Sequence, residues 1–463
     1  MEVLRRTPFR RISDAFDSPV SSLPEIGRMY WPALIETFAI YAVSLLNLAV
    51  YSTLGTKVVV GISMNDAVAF TINFTYTALG LAASVLISQH LGAGQEDAAR
   101  KAFVQFFAVT TALSLVLSSA LLLLRRPLMM LLYPTADPDA MRVCIFYFTG
   151  VMLLSPFNAM SGITIGMLRS YKRVGSATLI TGLSYASILL MNTFTILALK
   201  KNYQWLLGGM LISRAIFAVL VYAFCFSKRF RVTDFNWKAN LAPDSAIIRE
   251  FFRVGIPFIL ENAVFYIGSL VITMIAVRIG TLAAAINSLT NSLMNLLQCA
   301  GLAASNIAVV IVGRAAGIRD IATEKQYIRT FRRCCILLNT AMFALILALF
   351  RPIAAILHAE AEAIPTLFTS FLIVGISTVL LWPYGFLVPN CLKAAGDVRF
   401  ATVTAIIILW VTRIAFAYLL GITFGLGIIC VPVATAIEWL TRAVVFMIRS
   451  KKEVSYQHEL IQQ

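Results

Sequence analysis

Long, nearly uncharged apolar blocks alternate with short polar connections along the whole chain, and many of the blocks reach 18 residues or more. A block of that length crosses the hydrocarbon layer of a bilayer as one helix. In hydrocarbon every backbone N–H and C=O must be satisfied within its own helix or in a closed barrel. Barrel strands alternate apolar and polar residues over short segments, and these blocks are too long and too uniform for that. The fold class is therefore all-α, a polytopic membrane protein. Composition agrees, because 59% hydrophobic and only 13% charged residues leave too little charge to cover a water-facing surface.

Twelve spans are predicted, near 28–52, 65–90, 101–124, 141–168, 174–199, 203–226, 251–277, 283–312, 331–350, 363–390, 400–420 and 426–448. With the N-terminus placed inside, Lys and Arg number 27 on the inner side and 8 on the outer. That bias puts both termini in the cytoplasm of a protein of the cell (inner) membrane. The net charge of +16 is spread over these short segments, so membrane lipid is an expected partner and nucleic acid is not. The start of the chain has no apolar signal-peptide core and reads as a cytosolic segment. The seven cysteines lie mostly in or beside apolar blocks without metal-ligand spacing, and the three histidines are scattered, so they read as packing residues and no metal or other cofactor is expected. No Walker A loop, GxSxG or HExxH is present, and an enzyme is not expected.

The chain also repeats itself. Pro32 and Glu36 in WPALIETF match Pro257 and Glu261 in PFILENAVF at a shift of 225, Gly55 and Gly92 match Gly280 and Gly317 at the same shift, and LLSPF (153–157) matches LLWPY (380–384) at 227. The predicted layout is a cytosolic segment 1–27, an N-lobe 28–226 with spans 1–6, a linker 227–250, a C-lobe 251–448 with spans 7–12, and a cytosolic tail 449–463. Six spans per half is an even number, so both halves enter from the same side and are related by a pseudo-twofold axis along the membrane normal, as in parallel-repeat transporters.

SQHLGAGQEDAARKAF (88–103), VGRAAGIRDIATEKQY (312–327), LKAAGDVRF (392–400), WVTRIAFAYLLGITFGLGI (410–428) and AIEWLTRAVVFMIR (436–449) together resemble the multidrug and toxic compound extrusion (MATE) family, within the multidrug/oligosaccharidyl-lipid/polysaccharide flippase superfamily. The resemblance covers nearly the whole chain. It implies a monomeric secondary antiporter that exports amphipathic, cationic small molecules, with H⁺ or Na⁺ as coupling ion. It also implies acids in the middle of spans 1, 7 and 10, where this chain has Asn47, Tyr266–Ile267 and Trp382–Pro383. The alternatives are a flippase for a lipid-linked or anionic compound, and a scaffold or sensor that transports nothing. In the glycine loops, Gly92 and Gly94 are expected to take the positive φ that ends a helix.

Charges inside spans cost roughly 2.5–3.5 kcal/mol each at the centre, so they face protein or water and are candidate functional groups. Glu36 and Glu261 are the candidates for ion coupling, by taking up a proton or Na⁺; the competing reading lodges them in helix packing, favoured by the positive end of the helix dipole. Glu438 and Arg442, spaced i, i+4, read as an intrahelical pair, and Arg214 as a structural charge at the position that Arg442 occupies in the second half. Arg413 in span 11 attracts an anion or holds a carboxylate. Asn287, Asn291 and Asn295 form one stripe of span 8; with Arg413, Asn47, Asn73 and Tyr76 they are the candidates for a substrate cavity.

Overall fold

A computed structural model of the 463-residue chain describes residues 21–52, 54, 56–134, 137–198, 203–205, 208–209, 211–213, 216, 242–356 and 361–452. Besides the 3-10 and π-helical turns that join them, the described residues form α-helices, long and short. In chain order they are α1 Leu23–Ser52, α2 Thr56–Gly92, α3 Glu96–Leu123, α4 Arg125–Leu132, α5 Pro138–Ser170, α6 Val174–Thr193, α7 Ser245–Ile279, α8 Thr281–Ile318, α9 Ile321–Ala348, α10 Phe350–Ile356, α11 Ile364–Leu380, α12 Val388–Ala394, α13 Val398–Ile408, α14 Ala415–Tyr418 and α15 Cys430–Lys451. Among the described residues, eight helices are long and apolar enough to cross a membrane, nine if α11 and α12, bent by 54° across Leu381–Trp382, count as one span. That bend falls in predicted span 10, where Pro383 starts a π-helical turn, Pro383–Leu387, and cannot donate to the carbonyl one turn back. Residues 1–20 and 453–463, most of predicted span 6 and of the linker, Gly55 and Arg214 lie outside the described residues.

Large apolar side chains stand exposed along these helices, as lipid-facing surface requires: Leu123, Leu131 and Val116 are 83%, 79% and 69% exposed. The first span shows the division within one helix. Trp31, Ile35 and Phe38 are exposed, whereas Met29, Ala33 and Glu36 are buried. The two sets lie on different faces of an α-helix, so Glu36 turns toward protein.

The internal repeat is visible in the elements. Helices α3 and α9 each have 28 residues and start 225 positions apart, and the short helices α4 and α10 follow them at the same shift. The chain forms two compact units. The N unit contains Phe38–Ile87 and Gln95–Ile259; the C unit contains the chain through Thr37, Ser88–Gly94 and everything from Leu260 onward. Thus α1 begins in the C unit and ends in the N unit, and α7 does the reverse.

Each unit has a helix crossing that only glycine permits. In the N unit a Cβ on Gly80 would lie 2.5 Å from the Gly162 carbonyl oxygen, and one on Gly166 2.4 Å from that of Gly80. Gly162 and Gly166 are a small-xxx-small pair, the usual device for close helix approach in lipid. In the C unit the repeat-related Gly92 and Gly317 meet each other's helices: a Cβ on either would lie 2.1 Å from a backbone oxygen, of Arg314 and Gln89 respectively. This corrects the expectation that Gly92 ends its helix by a positive φ. Gly94 does that (φ +74), the second half uses Arg319 (φ +63), and Gly92 serves packing.

Candidate functional site

The C unit holds a buried group of three charges. After α13 the helix widens into a π turn, Leu409–Ile414, which changes the register of the side chains that follow. Trp410 and Val411 point outward, while Arg413 is only 6% exposed. Helix α15 presents Glu438 and Arg442 one turn apart, both buried. Arg442 Nε lies 2.8 Å from Glu438 Oε1, an ion pair whose angle falls short of a hydrogen bond. Arg442 also donates from Nη2 to the Ala405 carbonyl (3.1 Å) and lies over the Phe386 ring. Arg413 is held more loosely. Its Nη1 is 3.7 Å from Glu438 Oε2, beyond hydrogen-bond range, its guanidinium is 5.7 Å from the Phe265 ring, and its Nε has no hydrogen-bond partner. Two cations share one acid.

The polar stripe of α8 meets this group. Asn287 and Asn291 line a small cavity together with Thr290, Ser370, Thr435 and Arg413. The space is about 10 Å³, room for roughly one water-sized sphere. Ser370 Oγ is buried there without a partner. Asn295, one turn further along α8, is not part of the lining. Three of the residues singled out in the sequence, Asn287, Asn291 and Arg413, are therefore brought together, along with Ser370, which was not.

A second ion-coupling candidate of the C unit besides Glu36, Glu261, pairs with Lys393 of LKAAGDVRF through a hydrogen-bonded ion pair. Thr402 Oγ1 donates to the same carboxylate oxygen at 3.4 Å. Lys393 is 2% exposed and reaches Asn390 Oδ1 as well (3.4 Å), and Asn390 Nδ2 donates to Ser305 Oγ (3.2 Å). In the turn after α12, Gly396 has φ +110 and buried Asp397 accepts from Arg449 Nε at 2.7 Å.

Among the described residues of the N unit, the polar centre is neutral. Asn192, fully buried on α6, donates to Asn47 Oδ1 (2.9 Å) and to the Tyr51 hydroxyl (2.8 Å). Asn47 donates to its own helix at Val43 O (3.1 Å), and the Tyr51 and Tyr147 hydroxyls are 3.3 Å apart. Tyr76 is 2% exposed with its hydroxyl 2.7 Å from Ser155 Oγ, which places it in the packing of α2 on α5. The side chain of Asn73 lies outside the described residues. Sequence reasoning passed over Lys393 and Asn192. The signal for both was a polar group at the edge or inside of an apolar block.

Long apolar helices, an internal repeat and polar centres within the helical units define a polytopic membrane protein of transporter type. The MatE family model matches residues 32–194 and 257–419, the two copies again 225 apart; the chain belongs to the MATE family. It is 24% identical over 448 residues to the uncharacterized transporter YisQ of Bacillus subtilis (strain 168), covering 92% of this chain and 94% of that one. It is 22% identical to the probable multidrug resistance protein NorM of Geobacillus kaustophilus (strain HTA426), covering 86% and 91%. Among solved structures, an outward-facing multidrug resistance MATE transporter superposes with a TM-score of 0.86 at 18% identity, covering 97% of this chain and 99% of its own. A MOP superfamily transporter from Pyrococcus furiosus Vc1 gives 0.88 at 18% identity, covering 96% and 98%. The fold is thus the twelve-helix, two-lobed fold of MATE transporters.

Proposed function

We propose that the chain is a secondary active antiporter, not an enzyme, that exports amphipathic, cationic small molecules by alternating access with H⁺ or Na⁺ as the driving ion. In this reading it works as a monomer in the cell membrane, with both termini cytoplasmic, lipid around it and no cofactor beyond the coupling ion. The observation that carries coupling is the Glu261–Lys393 pair. A carboxylate already matched to a buried internal ammonium is a competition site. A proton neutralises it and releases Lys393, and an external cation replaces the ammonium. One relative is named a probable multidrug resistance protein, which supports an export role.

The test is reconstitution into liposomes with efflux of a cationic dye under an imposed proton or sodium gradient. Gradient-driven efflux is expected for the wild type and is expected to collapse in Glu261→Gln, with Glu36→Gln as the repeat-related partner. Efflux that survives both substitutions rejects the coupling role.

One observation favours a second reading, an anionic substrate. The buried cluster of the C unit carries Arg413 and Arg442 against Glu438 alone. The Pyrococcus transporter is itself described by the reverse polarity of its binding pocket and a suggested different function. Flux of an amphipathic carboxylate in place of the dye, or movement of a labelled lipid-linked sugar, is the result that selects it.

A further inference from the structure

The cavity beside α8 has an unusual balance. Of the side chains that line it, Arg413 is the charged one. Its carboxylate neighbour Glu438 is committed at 2.8 Å to Arg442 and stands 3.7 Å from Arg413. A guanidinium carries five N–H donors and stays charged. This one is 6% exposed with an unpartnered Nε. Across the same small space stand Ser370 Oγ, buried and unpartnered, and the amides of Asn287 and Asn291. Buried polar groups are normally satisfied, and those that are not mark the place of an ion, a water or a ligand. Water would answer the hydrogen bonds. It would not answer the charge, because two arginines against one glutamate leave one positive charge over in a span, where an uncompensated ion is expensive.

From this geometry we infer that the cavity is a binding site for a single monovalent anion, held by Arg413 with Asn287, Asn291 and Ser370 as neutral donors. The shared chemistry is one negative charge on hydrogen-bond acceptors. Two sources fit it: an inorganic halide such as chloride, or the carboxylate head of an amphipathic molecule whose body lies outside the cavity. The site does not depend on the transport reading, because occupancy is an equilibrium property that needs no gradient.

The experiment uses the full-length protein in detergent, with gluconate as the bulky reference anion and ionic strength held constant. Chloride and an aryl carboxylate such as naphthoate are titrated separately, and the melting temperature is followed. Saturable stabilisation by at least one of them is expected. Chloride alone identifies an inorganic-anion site; naphthoate, alone or in competition with chloride, identifies a substrate subsite. Arg413→Gln is expected to weaken the apparent affinity at least about tenfold, the value of one charge-assisted hydrogen bond. Asn291→Asp leaves the arginines in place, occupies the cavity with a fixed negative charge, and is expected to abolish saturation; it carries the test if Arg413→Gln does not fold. No saturable stabilisation of the wild type by either anion overturns the proposal, and so does unchanged affinity in Asn291→Asp.

Discussion

The two units place different chemistry at their polar centres. In the N unit, Asn47, Tyr51, Tyr147 and Asn192 form a chain of neutral amides and hydroxyls. In the C unit the centre is ionic, with Arg413 on one small cavity, Glu438 and Arg442 beside it, and Glu261 against Lys393. The two halves descend from one repeated pattern, since the family model fits both at a constant shift, so the fold accepts either solution. A neutral network loses little when one member is trimmed. An ionic one fails steeply, because the survivor of a broken pair is a buried charge without compensation.

The largest expected effect is therefore Glu438→Leu. It removes the acid between two buried arginines and should cost about 3–5 kcal/mol of stability, read as a large loss of folded protein and of melting temperature in detergent. Glu438→Leu with a wild-type melting curve would contradict the ionic description of this centre. Next comes Lys393→Met, which leaves Glu261 with Thr402 alone. Glu261 keeps some access to water, its side chain being 20% exposed, so the loss should be smaller, about 2–3 kcal/mol. Adding Glu261→Gln to Lys393→Met should restore much of it, and a double-mutant cycle measures the coupling. The neutral centre should lose least: Asn192→Ala forfeits two hydrogen bonds for about 1–2 kcal/mol. Thermal unfolding of the four variants side by side ranks the two units. A cost for Asn192→Ala equal to that of Glu438→Leu would erase the contrast.

How much of this was legible beforehand follows from distance along the chain. Spans appear because twenty-odd apolar residues in a row admit one structure in lipid, and the halves appear because Pro32/Glu36 and Pro257/Glu261 recur at a fixed shift. The Glu438–Arg442 pair is local, one helical turn, and could be read directly. The α8 stripe was readable as a face, and Asn287 and Asn291 do line a cavity. Other features depend on tertiary placement. Glu261 and Lys393 are 132 residues apart, so nothing in PFILENAVF names LKAAGDVRF as its partner. The approach of Arg413 to Glu438 follows a π turn, which shifts register in a way that helical periodicity does not foresee. The Gly92–Gly317 crossing needs both helices in space; from sequence, a glycine near a helix end reads as a terminator.

The contrast reverses at the points where the first span of each half begins. Ahead of α7, in the N unit, Asp244 accepts from Lys101 of α3 at 2.7 Å and caps its own helix through the Ala246 amide at 3.0 Å. Ahead of α1, in the C unit, the attachment is neutral: Tyr327 of α9 donates to the Ser21 carbonyl at 3.0 Å. The Lys101 ammonium, above all, and the Ala246 N–H hold the Asp244 carboxyl below its ordinary 3.8. A lowered folded-state pKa contributes stability that is present above the unfolded value and lost as pH falls through the folded one. Lys101→Ala should thus lower the melting temperature only slightly at pH 7, because each side chain of the pair is about a third open to solvent, which screens it. The gap between variant and wild type should close as pH falls below the ordinary carboxylate range, and should narrow in high salt at pH 7. Tyr327→Phe, which breaks the neutral attachment, should show a gap that neither acid nor salt closes. If Lys101→Ala keeps the same gap in acid and in salt, the ion pair is not what fastens α7, and the backbone cap made by Asp244 is left to do so.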